Sequence, residues 1–212
     1  GDLKQAVAQS DVVVSLLEHG DAVADVLFEQ GAAAAMRTGT LMIDMASIRP
    51  DQARDHAARL AAYGVAHLDA TVSGGTIGAE QGTLAIMAGG EPADFERAAP
   101  VFAVLGRATL VGGHGSGQLA KLANQMIVGI TIGAVAEALL LCEKSGVDPV
   151  KVMQALAGGA ADSRILRMQG QRMADRDFEA RARMTVQLKD LRNALASAGD
   201  AGISTPITEV VA

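Results

Sequence analysis

The first half of the chain alternates strand-length apolar runs with segments of helical periodicity. The predicted strands are residues 11–17, 40–45, 65–69, 83–88 and 108–111. The helical patterns between them cover residues 21–29, 50–63 and 92–105. Alternating strands and helices of these lengths are typical of an α/β fold, a mainly parallel sheet with helices packed on its faces.

No strand pattern follows the glycine-rich segment Gly112–Gly117. A helical pattern runs from about Gln118 to Lys144, and shorter ones follow at residues 149–157, 163–174 and 183–198. We therefore predict two domains, an α/β domain over residues 1–113 and an all-helical domain over residues 114–212, with a long helix between them.

The long helix is apolar enough to raise the question of a membrane span. Its stretch Met126–Ala136 carries no charge, but Gly129, Thr131 and Gly133 dilute its hydrophobicity. Glu137 then ends the uncharged run well short of the ~20 residues that a span requires. We expect a helix buried between domains or subunits, and no membrane partner.

Composition and charge narrow the classes of partner. Half of the 212 residues are hydrophobic and a fifth are charged, as in an ordinary globular protein, and the net charge of −6 argues against a nucleic-acid backbone as ligand. Basic residues cluster between Arg164 and Arg183, but Asp175, Asp177 and Glu179 interrupt them. This pattern favours a solvated helical surface over a nucleic-acid patch.

Cysteine and histidine point to neither a disulfide nor a metal site. Cys142 is the only cysteine, so an intrachain disulfide is impossible and a reducing, cytoplasmic compartment fits. The four histidines are dispersed without metal-ligand spacing, and we assign them structural or surface roles. Only His114, inside the glycine-rich segment, is placed to reach a ligand.

A glycine-rich segment after the third predicted strand is the first candidate site. It runs from Asp69 to Leu84 and includes Ser73 followed by Gly74 and Gly75. Open α/β sheets bind ligands in loops beyond the carboxyl ends of their parallel strands, and glycines expose backbone N–H groups. The serine and the adjacent amides suit a small carboxylate or hydroxyl group. From spacing alone, a tight turn without a ligand explains these residues equally well.

The start of the long helix is the second candidate site. Lys121 lies about one turn inside it, where burial and the positive end of the helix would both lower the lysine pKa. A lysine with a pKa near neutrality can exchange a proton with a substrate oxygen. Asn124 and Gln125 lie three and four residues farther on the same face and can bind the same substrate. Surface lysines are common, but this one is the only charge between His114 and Glu137, so both interpretations stay open.

Four segments of the chain resemble motifs of the 3-hydroxyacid dehydrogenase family and occur in the same order as in that family. The family includes 3-hydroxyisobutyrate dehydrogenase and 2-hydroxy-3-oxopropionate (tartronate semialdehyde) reductase. The serine segment is similar to the family's Asp-x-Pro-Val-Ser-Gly-Gly signature, with Thr71 in place of proline, and the match continues to Gly90. The helix start Gly-x-Gly-x-x-x-Lys, ending at Lys121, resembles its catalytic segment. Asp44–Pro50 and Leu188–Leu191 resemble two further family motifs.

The resemblance implies an oxidoreductase that transfers a hydride between NAD or NADP and a small 3-hydroxyacid or semialdehyde. Its fold would be an incomplete Rossmann-type doubly wound sheet followed by an all-α domain. Lys121 would be the general acid/base. The substrate-binding residues would be Ser73, Gly74, Gly75, Asn124 and Gln125. The cofactor-binding residues would be Leu17, Glu18, Ser47 and Lys189, and a homodimer or homotetramer would form.

The chain departs from the family pattern in three further respects. No Gly-x-Gly-x-x-Gly occurs in it, so the resemblance predicts an N-terminal truncation that also removes the residue selecting NAD or NADP. The C-terminus would be short by a helix. Ala182 stands where an aromatic residue is common, which predicts a wider pocket there.

Two alternatives remain open at this point. The chain could be a non-catalytic or cofactor-deficient fragment of the family, or a related imine or glyoxylate–succinic semialdehyde reductase. Lys121 argues against the imine-type relatives, which generally lack this lysine. Among substrates, tartronate semialdehyde is favoured because the helix start Lys-x-Ala-Asn-Gln resembles that branch.

Overall fold

The computed structural model describes residues 2–180 and 183–212, so the expectation for Ala182 lies outside the described residues. The chain divides into two compact units, residues 1–122 and residues 123–212.

The first unit contains a five-stranded mixed sheet in the order β1-β2-β3-β4-β5. Its strands are β1 (Val12–Ser15), β2 (Leu41–Asp44), β3 (Ala66–Ser73), β4 (Leu84–Gly90) and β5 (Gly106–Gly112). Strands β1, β2 and β3 pair in parallel, β3 and β4 pair antiparallel, and β4 and β5 pair in parallel. The prediction of a mainly parallel sheet is confirmed, with β4 and β5 running opposite to the first three strands.

Helices separate these strands. They are α1 (Leu3–Ala8), α2 (Gly20–Ala24), α3 (Ala32–Ala35), α4 (Pro50–Ala61), α5 (Gly75–Glu80) and α6 (Pro92–Leu105). A π-helical turn at Asp25–Glu29 continues α2. The prediction missed α1, α3 and α5 because helices of four to six residues do not show two turns of apolar periodicity.

The two faces of the sheet bury separate cores. Met42 packs on one face with residues such as Leu27 and Leu60, whereas Ile43 packs on the other face with Phe102. Neighbouring side chains of β2 therefore point to opposite faces of the sheet, and all four residues of the strand are buried. A strand covered on both sides reads as a continuous apolar run, which is the pattern that identified it in the sequence.

The third strand is longer than its apolar run suggests. The prediction ended it at Asp69 and treated the following residues as a loop, which is wrong, because β3 continues to Ser73 and α5 follows at Gly75. Pairing with β4, from Leu68 opposite Gly90 to Ser73 opposite Ala85, satisfies the backbone of this polar stretch. A strand partner that lies later in the chain leaves no local signal.

Helix α7 (Ser116–Lys144) begins in the first unit and continues into the second. The remaining elements are α8 (Pro149–Leu156), a π-helical turn (Leu166–Gly170), α9 (Gln171–Ala174), α10 (Met184–Asp200) and α11 (Pro206–Val211). Among residues 2–180 and 183–212, none after β5 forms a strand, as predicted. A small core of the second unit contains Val135, Leu139 and Leu166.

By length and composition alone, α7 passes the test for a membrane-crossing helix, with 17% of its most apolar stretch buried. A core helix of a globular protein passes the same test, but such a helix is mostly buried, whereas this stretch of α7 is largely exposed in the single chain. The N-terminal turn of α7 is anchored to the sheet by buried hydrogen bonds, which favours the globular interpretation.

Candidate functional site

The carboxyl ends of β1 and β2 lie at one edge of the sheet beside Asp69 of β3, and β3 continues beyond that point to Ser73. Ser15 lies opposite Asp44, and Asp44 lies opposite Asp69. The segments that follow the strands carry the predicted ligand contacts of the first unit. These contacts are Leu17, Glu18, Ser47, Ser73, Gly74 and Gly75. This edge is where open α/β sheets bind their ligands.

Asp69 caps the helix that carries the lysine. Its side chain is fully buried, and its two carboxylate oxygens accept hydrogen bonds from the backbone nitrogens of Gly115, at 2.8 Å, and Gln118, at 2.9 Å. These are among the N–H groups that a helix start leaves without a partner. Burial raises the pKa of Asp69 to about 6, although the two N–H donors act in the opposite direction.

Glycine lets the first turn of α7 lie directly against the sheet. A methyl group at Gly117 would come within 2.5 Å of the carbonyl oxygens of Asp69 and Met87, so only glycine fits. The hydroxyl group of Thr71, which replaces the family's proline, donates a hydrogen bond to the carbonyl oxygen of Gly117 at 3.1 Å. The departure from the family pattern therefore adds a contact that proline lacks.

This docking brings the two predicted segments together. Lys121, half-buried one turn into α7, donates a hydrogen bond from Nζ to the carbonyl oxygen of Val72 at 2.9 Å. Ser73 is the next residue and the last of β3. The chain then turns through Gly74, with φ of 144°, and Gly75, with φ of 66° in the left-handed region, which favours glycine. The Lys121 ammonium group therefore binds the backbone of the residue that precedes Ser73 and the glycine turn.

The segment after β2 is held by two buried side chains. Asp44 accepts hydrogen bonds at one oxygen from the Ser15 hydroxyl, at 2.8 Å, and from the Ala46 nitrogen, at 3.0 Å. Its other oxygen is buried and has no hydrogen-bond partner among the described residues, and burial raises the pKa of Asp44 to about 6. Gln118 of α7 binds the backbone of Ala46 and Ile48, on either side of the predicted cofactor contact Ser47.

The cofactor contacts predicted after β1 differ from each other in exposure. Leu17 is half-buried against the core and lines an apolar cavity of about 230 Å³ beside β1, whereas Glu18 is exposed. That volume is below the ~300–1,000 Å³ of ordinary ligand sites.

The predicted residues of the second unit lie on two helices. Both N–H donors of the Gln125 side chain are used, one by the Gln187 side chain and one by Asp190, each at 2.9 Å. Lys189 pairs with the other oxygen of Asp190, which is buried. Gln125 therefore joins α7 to α10.

Two histidines that are distant in sequence meet in the first unit. The rings of His67 and His114 stack with centroids 5.7 Å apart, and Nε2 of His114 donates to the His67 carbonyl oxygen. Burial lowers the pKa of His67 to about 3. The described residues contain no group of three or more potential ligands that could hold a metal ion.

Sequence reasoning missed the roles of Asp69, Gln118 and Asp190. Each is almost fully buried, and each links two segments far apart in the chain. A signal was present for Asp69, because a carboxylate at the end of an apolar strand requires buried hydrogen-bond donors. For Gln118 the sequence offered none, since polar residues in a helix are ordinarily exposed. Asp190 lies within the segment Leu188–Leu191 that resembles a family motif, but nothing in that motif showed its side chain to be buried.

Comparison with known proteins covers nearly the whole chain. Residues 1–113 match a family described as the NAD-binding domain of 6-phosphogluconate dehydrogenase. Residues 115–212 match a family described as the NAD-binding domain of NADP-dependent 3-hydroxyisobutyrate dehydrogenase. These matches confirm the prediction of NAD or NADP as the cofactor of the family.

Individual relatives agree with these matches. The chain is 45% identical to the 2-hydroxy-3-oxopropionate reductase of Escherichia coli, over 97% of this chain and 71% of that protein. It is 35% identical to the 3-hydroxyisobutyrate dehydrogenase of Pseudomonas aeruginosa, over 96% of this chain and 71% of that protein. The 3-hydroxyisobutyrate dehydrogenase of Mycobacterium tuberculosis, solved with L-serine, superimposes with a TM-score of 0.89 at 30% identity, covering 98% of this chain and 74% of that one. On this evidence, the chain belongs to the 3-hydroxyisobutyrate dehydrogenase family of NAD(P)-dependent oxidoreductases.

Proposed function

We propose that this protein transfers a hydride between NAD or NADP and a small 3-hydroxyacid or its semialdehyde, with Lys121 as the general acid/base. The observation that carries the proposal is the 2.9 Å hydrogen bond from Lys121 Nζ to the Val72 carbonyl oxygen. It holds the ammonium group next to Ser73, so a substrate bound at the serine would have its reacting oxygen within reach of the lysine.

The substrate carboxylate would bind at the turn after β3. The Ser73 hydroxyl and the backbone amides of Gly74 and Gly75 are short, rigid donors that suit a carboxylate. Asn124, one turn beyond the lysine on α7, would orient the substrate, while Gln125 would support the site through Asp190.

The cofactor would lie along the carboxyl ends of β1 and β2. Leu17, Glu18 and Ser47 would hold it, and the family resemblance adds Lys189 to the cofactor contacts. NAD(P) supplies or accepts the hydride when bound. These residues fit a dinucleotide in part, because an apolar side chain and a hydroxyl group follow adjacent parallel strands.

Lys121 would move the proton that accompanies the hydride. In reduction its ammonium group donates a proton to the carbonyl oxygen of the semialdehyde, and in oxidation the neutral amine accepts the hydroxyl proton. The Val72 carbonyl oxygen accepts one lysine N–H and so orients the group without removing its proton.

Tartronate semialdehyde is the substrate we favour. Its support is the helix start Lys121–Gln125 together with the relative named 2-hydroxy-3-oxopropionate reductase, which is 45% identical. We further propose a homodimer or homotetramer, because the second unit exposes many large apolar side chains. We also propose a cytoplasmic location, which fits a chain with a single cysteine.

A substrate panel on the full-length protein tests this proposal. Tartronate semialdehyde, 3-hydroxyisobutyrate, succinic semialdehyde and glyoxylate are each assayed with both nicotinamide cofactors, for the wild type, Lys121→Ala and Ser73→Ala. We expect Lys121→Ala to lower kcat by ~10²–10⁴-fold with little change in cofactor affinity. Ser73→Ala should mainly raise KM, because a carboxylate contact acts in the ground state as well as in the transition state.

Lys121→Arg is the matched control, since it keeps the positive charge but stays protonated near neutral pH. It should be nearly as inactive as Lys121→Ala. If either lysine variant kept more than about a third of wild-type kcat, far above the loss expected for an acid/base, the catalytic role would be wrong.

A further inference from the structure

We infer that Gln118 is a positioning residue that holds the segment Ala46–Ile48, with its predicted cofactor contact Ser47, in register with Lys121. The inference rests on the proposed function, because it concerns the alignment of the cofactor with the acid/base. No family motif described above assigns Gln118 a role.

Both ends of the Gln118 side chain bind the backbone of this segment. Oε1 accepts a hydrogen bond from the Ile48 nitrogen at 2.9 Å, and Nε2 donates one to the Ala46 carbonyl oxygen at 2.8 Å. The side chain is fully buried, so water cannot replace either bond. Ser47 lies between the two bonded residues, and its backbone therefore cannot shift without breaking at least one of them.

Gln118 is itself held firmly. Its backbone nitrogen donates to Asp69 at 2.9 Å, and the preceding Gly117 allows no side chain between α7 and the sheet. Lys121 lies three residues later on the same helix and binds the Val72 carbonyl oxygen. A single rigid helical turn thus fixes the segment after β2 on one side and the end of β3 on the other.

This arrangement has a consequence for hydride transfer. The reaction requires donor, acceptor and acid/base to be aligned within a few tenths of an ångström, and a 1 Å displacement far from the chemistry can cost ~10²-fold in rate. Loss of the two Gln118 bonds should let the Ser47 segment drift. We expect kcat to fall by about 10–100-fold, with a smaller rise in the KM for the cofactor.

Two substitutions separate positioning from simple packing. Gln118→Met has nearly the same length and makes neither hydrogen bond, so its loss of kcat should be the same at every pH. Gln118→Glu makes both bonds only when protonated, because an ionised carboxylate repels the Ala46 carbonyl oxygen. Burial raises the pKa of such a carboxyl group. The kcat of Gln118→Glu, divided by the kcat of the wild type at the same pH, should therefore rise as the pH is lowered toward 5.

A second readout requires no cofactor. Amide hydrogen exchange in peptides spanning residues 44–50 should be about tenfold faster or more in Gln118→Met, since the Ile48 N–H loses its acceptor. Leu122→Val is the matched control, because Leu122 is buried on the same helix and has no side-chain hydrogen bond to the segment. It should lower the melting temperature while exchange in residues 44–50 and the pH dependence of kcat stay as in the wild type.

The inference is overturned if Gln118→Met keeps kcat within about threefold of wild type, below the loss expected from misalignment, or leaves exchange in residues 44–50 unchanged. It is also overturned if the Gln118→Glu ratio does not depend on pH. Should Gln118→Met not fold, the pH series on Gln118→Glu decides alone. If Lys121→Ala and Ser47→Ala both retain full activity, the proposed function fails instead, and the exchange measurement still reports whether Gln118 holds the segment.

Discussion

The two units of the chain differ sharply in how well they bury their apolar side chains. Among the described residues, 24 buried hydrophobic residues lie in the first unit and only 6 in the second, although the second unit makes up 90 of the 212 positions. The second unit also exposes more large apolar side chains, with Phe178, Met184 and Val210 each more than 70% exposed.

The difference follows from architecture. A sheet covered by helices on both faces buries every residue of a strand such as β2, whereas a helix in a small helical unit buries a single stripe. The dense packing of the first unit allows buried polar groups such as Asp69 and Gln118 to keep fixed positions. The second unit leaves more of its large apolar side chains exposed in the single chain.

The sharpest test of this contrast makes the same glycine-to-alanine substitution at two positions of α7. A methyl group at Gly117 would lie 2.5 Å from two backbone oxygens, whereas one at Gly133 would meet Val211 at an ordinary 3.6 Å. We expect Gly117→Ala to lower the free energy of unfolding by about 3 kcal/mol or more. Gly133→Ala should raise it by ~0.5–1 kcal/mol, because alanine favours the helix.

Urea denaturation of both variants, with activity measured in parallel, provides the comparison. Because the two substitutions are chemically identical and helix propensity contributes only about 1 kcal/mol, the difference between them mainly reports packing. A shift of the same sign at both positions would show that the two ends of α7 do not differ in packing as described.

The next largest effect concerns the ionisation of His67, a buried residue of the first unit. Burial lowers the pKa of His67 from 6.5 to about 3, so the folded protein resists protonation that the unfolded chain accepts. The stability contributed by neutral His67 is therefore complete above pH 6.5 and is lost progressively as the pH falls toward 3. Between pH 6.5 and 5 the wild type should lose about 2 kcal/mol relative to His67→Leu, at about 1.4 kcal/mol per pH unit.

Denaturation of both proteins across this pH range measures that difference. Comparing variant with wild type is essential, since Asp44 and Asp69 have a raised pKa of about 6 and act in the opposite sense, losing stability as the pH rises through 6. Parallel stability curves for the two proteins would show that His67 is not held neutral by burial.

The smallest of these effects concerns the exposed apolar surface of the second unit. Ile127 is 65% exposed and Leu141 is 68% exposed on α7. If this surface mediates self-association, Ile127→Glu or Leu141→Glu should weaken it by about tenfold, or about 1.4 kcal/mol. Val104→Glu, at an exposed position of α6 in the first unit, is the control and should leave association unchanged.

Sedimentation over a range of protein concentrations tests this prediction. A wild type that stays monomeric at every concentration contradicts it. Equal weakening by Val104→Glu would mean that general charge, rather than the surface of α7, governs association.

Much of the fold was predictable because local patterns encode it. The five strands and the helices α4, α6, α7, α8 and α10 are where the apolar periodicity places them, within a few residues at their ends. Short helices and the extension of β3 were missed, since their hydrogen-bond partners or packing surfaces come from distant parts of the chain.

The candidate site was predictable as a set of segments. Ser73 and Lys121 were identified from residue type, spacing and family resemblance, and the structure brings their segments together through Val72. Their catalytic and binding roles remain proposals. Gln125 illustrates the limit of spacing, because its position beside Asn124 did not reveal that its amide is committed to Gln187 and Asp190.

By itself, the sequence determined the order of strands and helices, the family, the cofactor class and the identity of the candidate acid/base. These properties depend on residues close together in the chain or on short motifs. Only the tertiary structure decided which polar groups are buried and what they bind, as with Asp69 capping α7 and Gln118 holding the segment around Ser47. A buried polar side chain is stable only where distant segments supply its hydrogen bonds, and that supply exists only once the chain has folded.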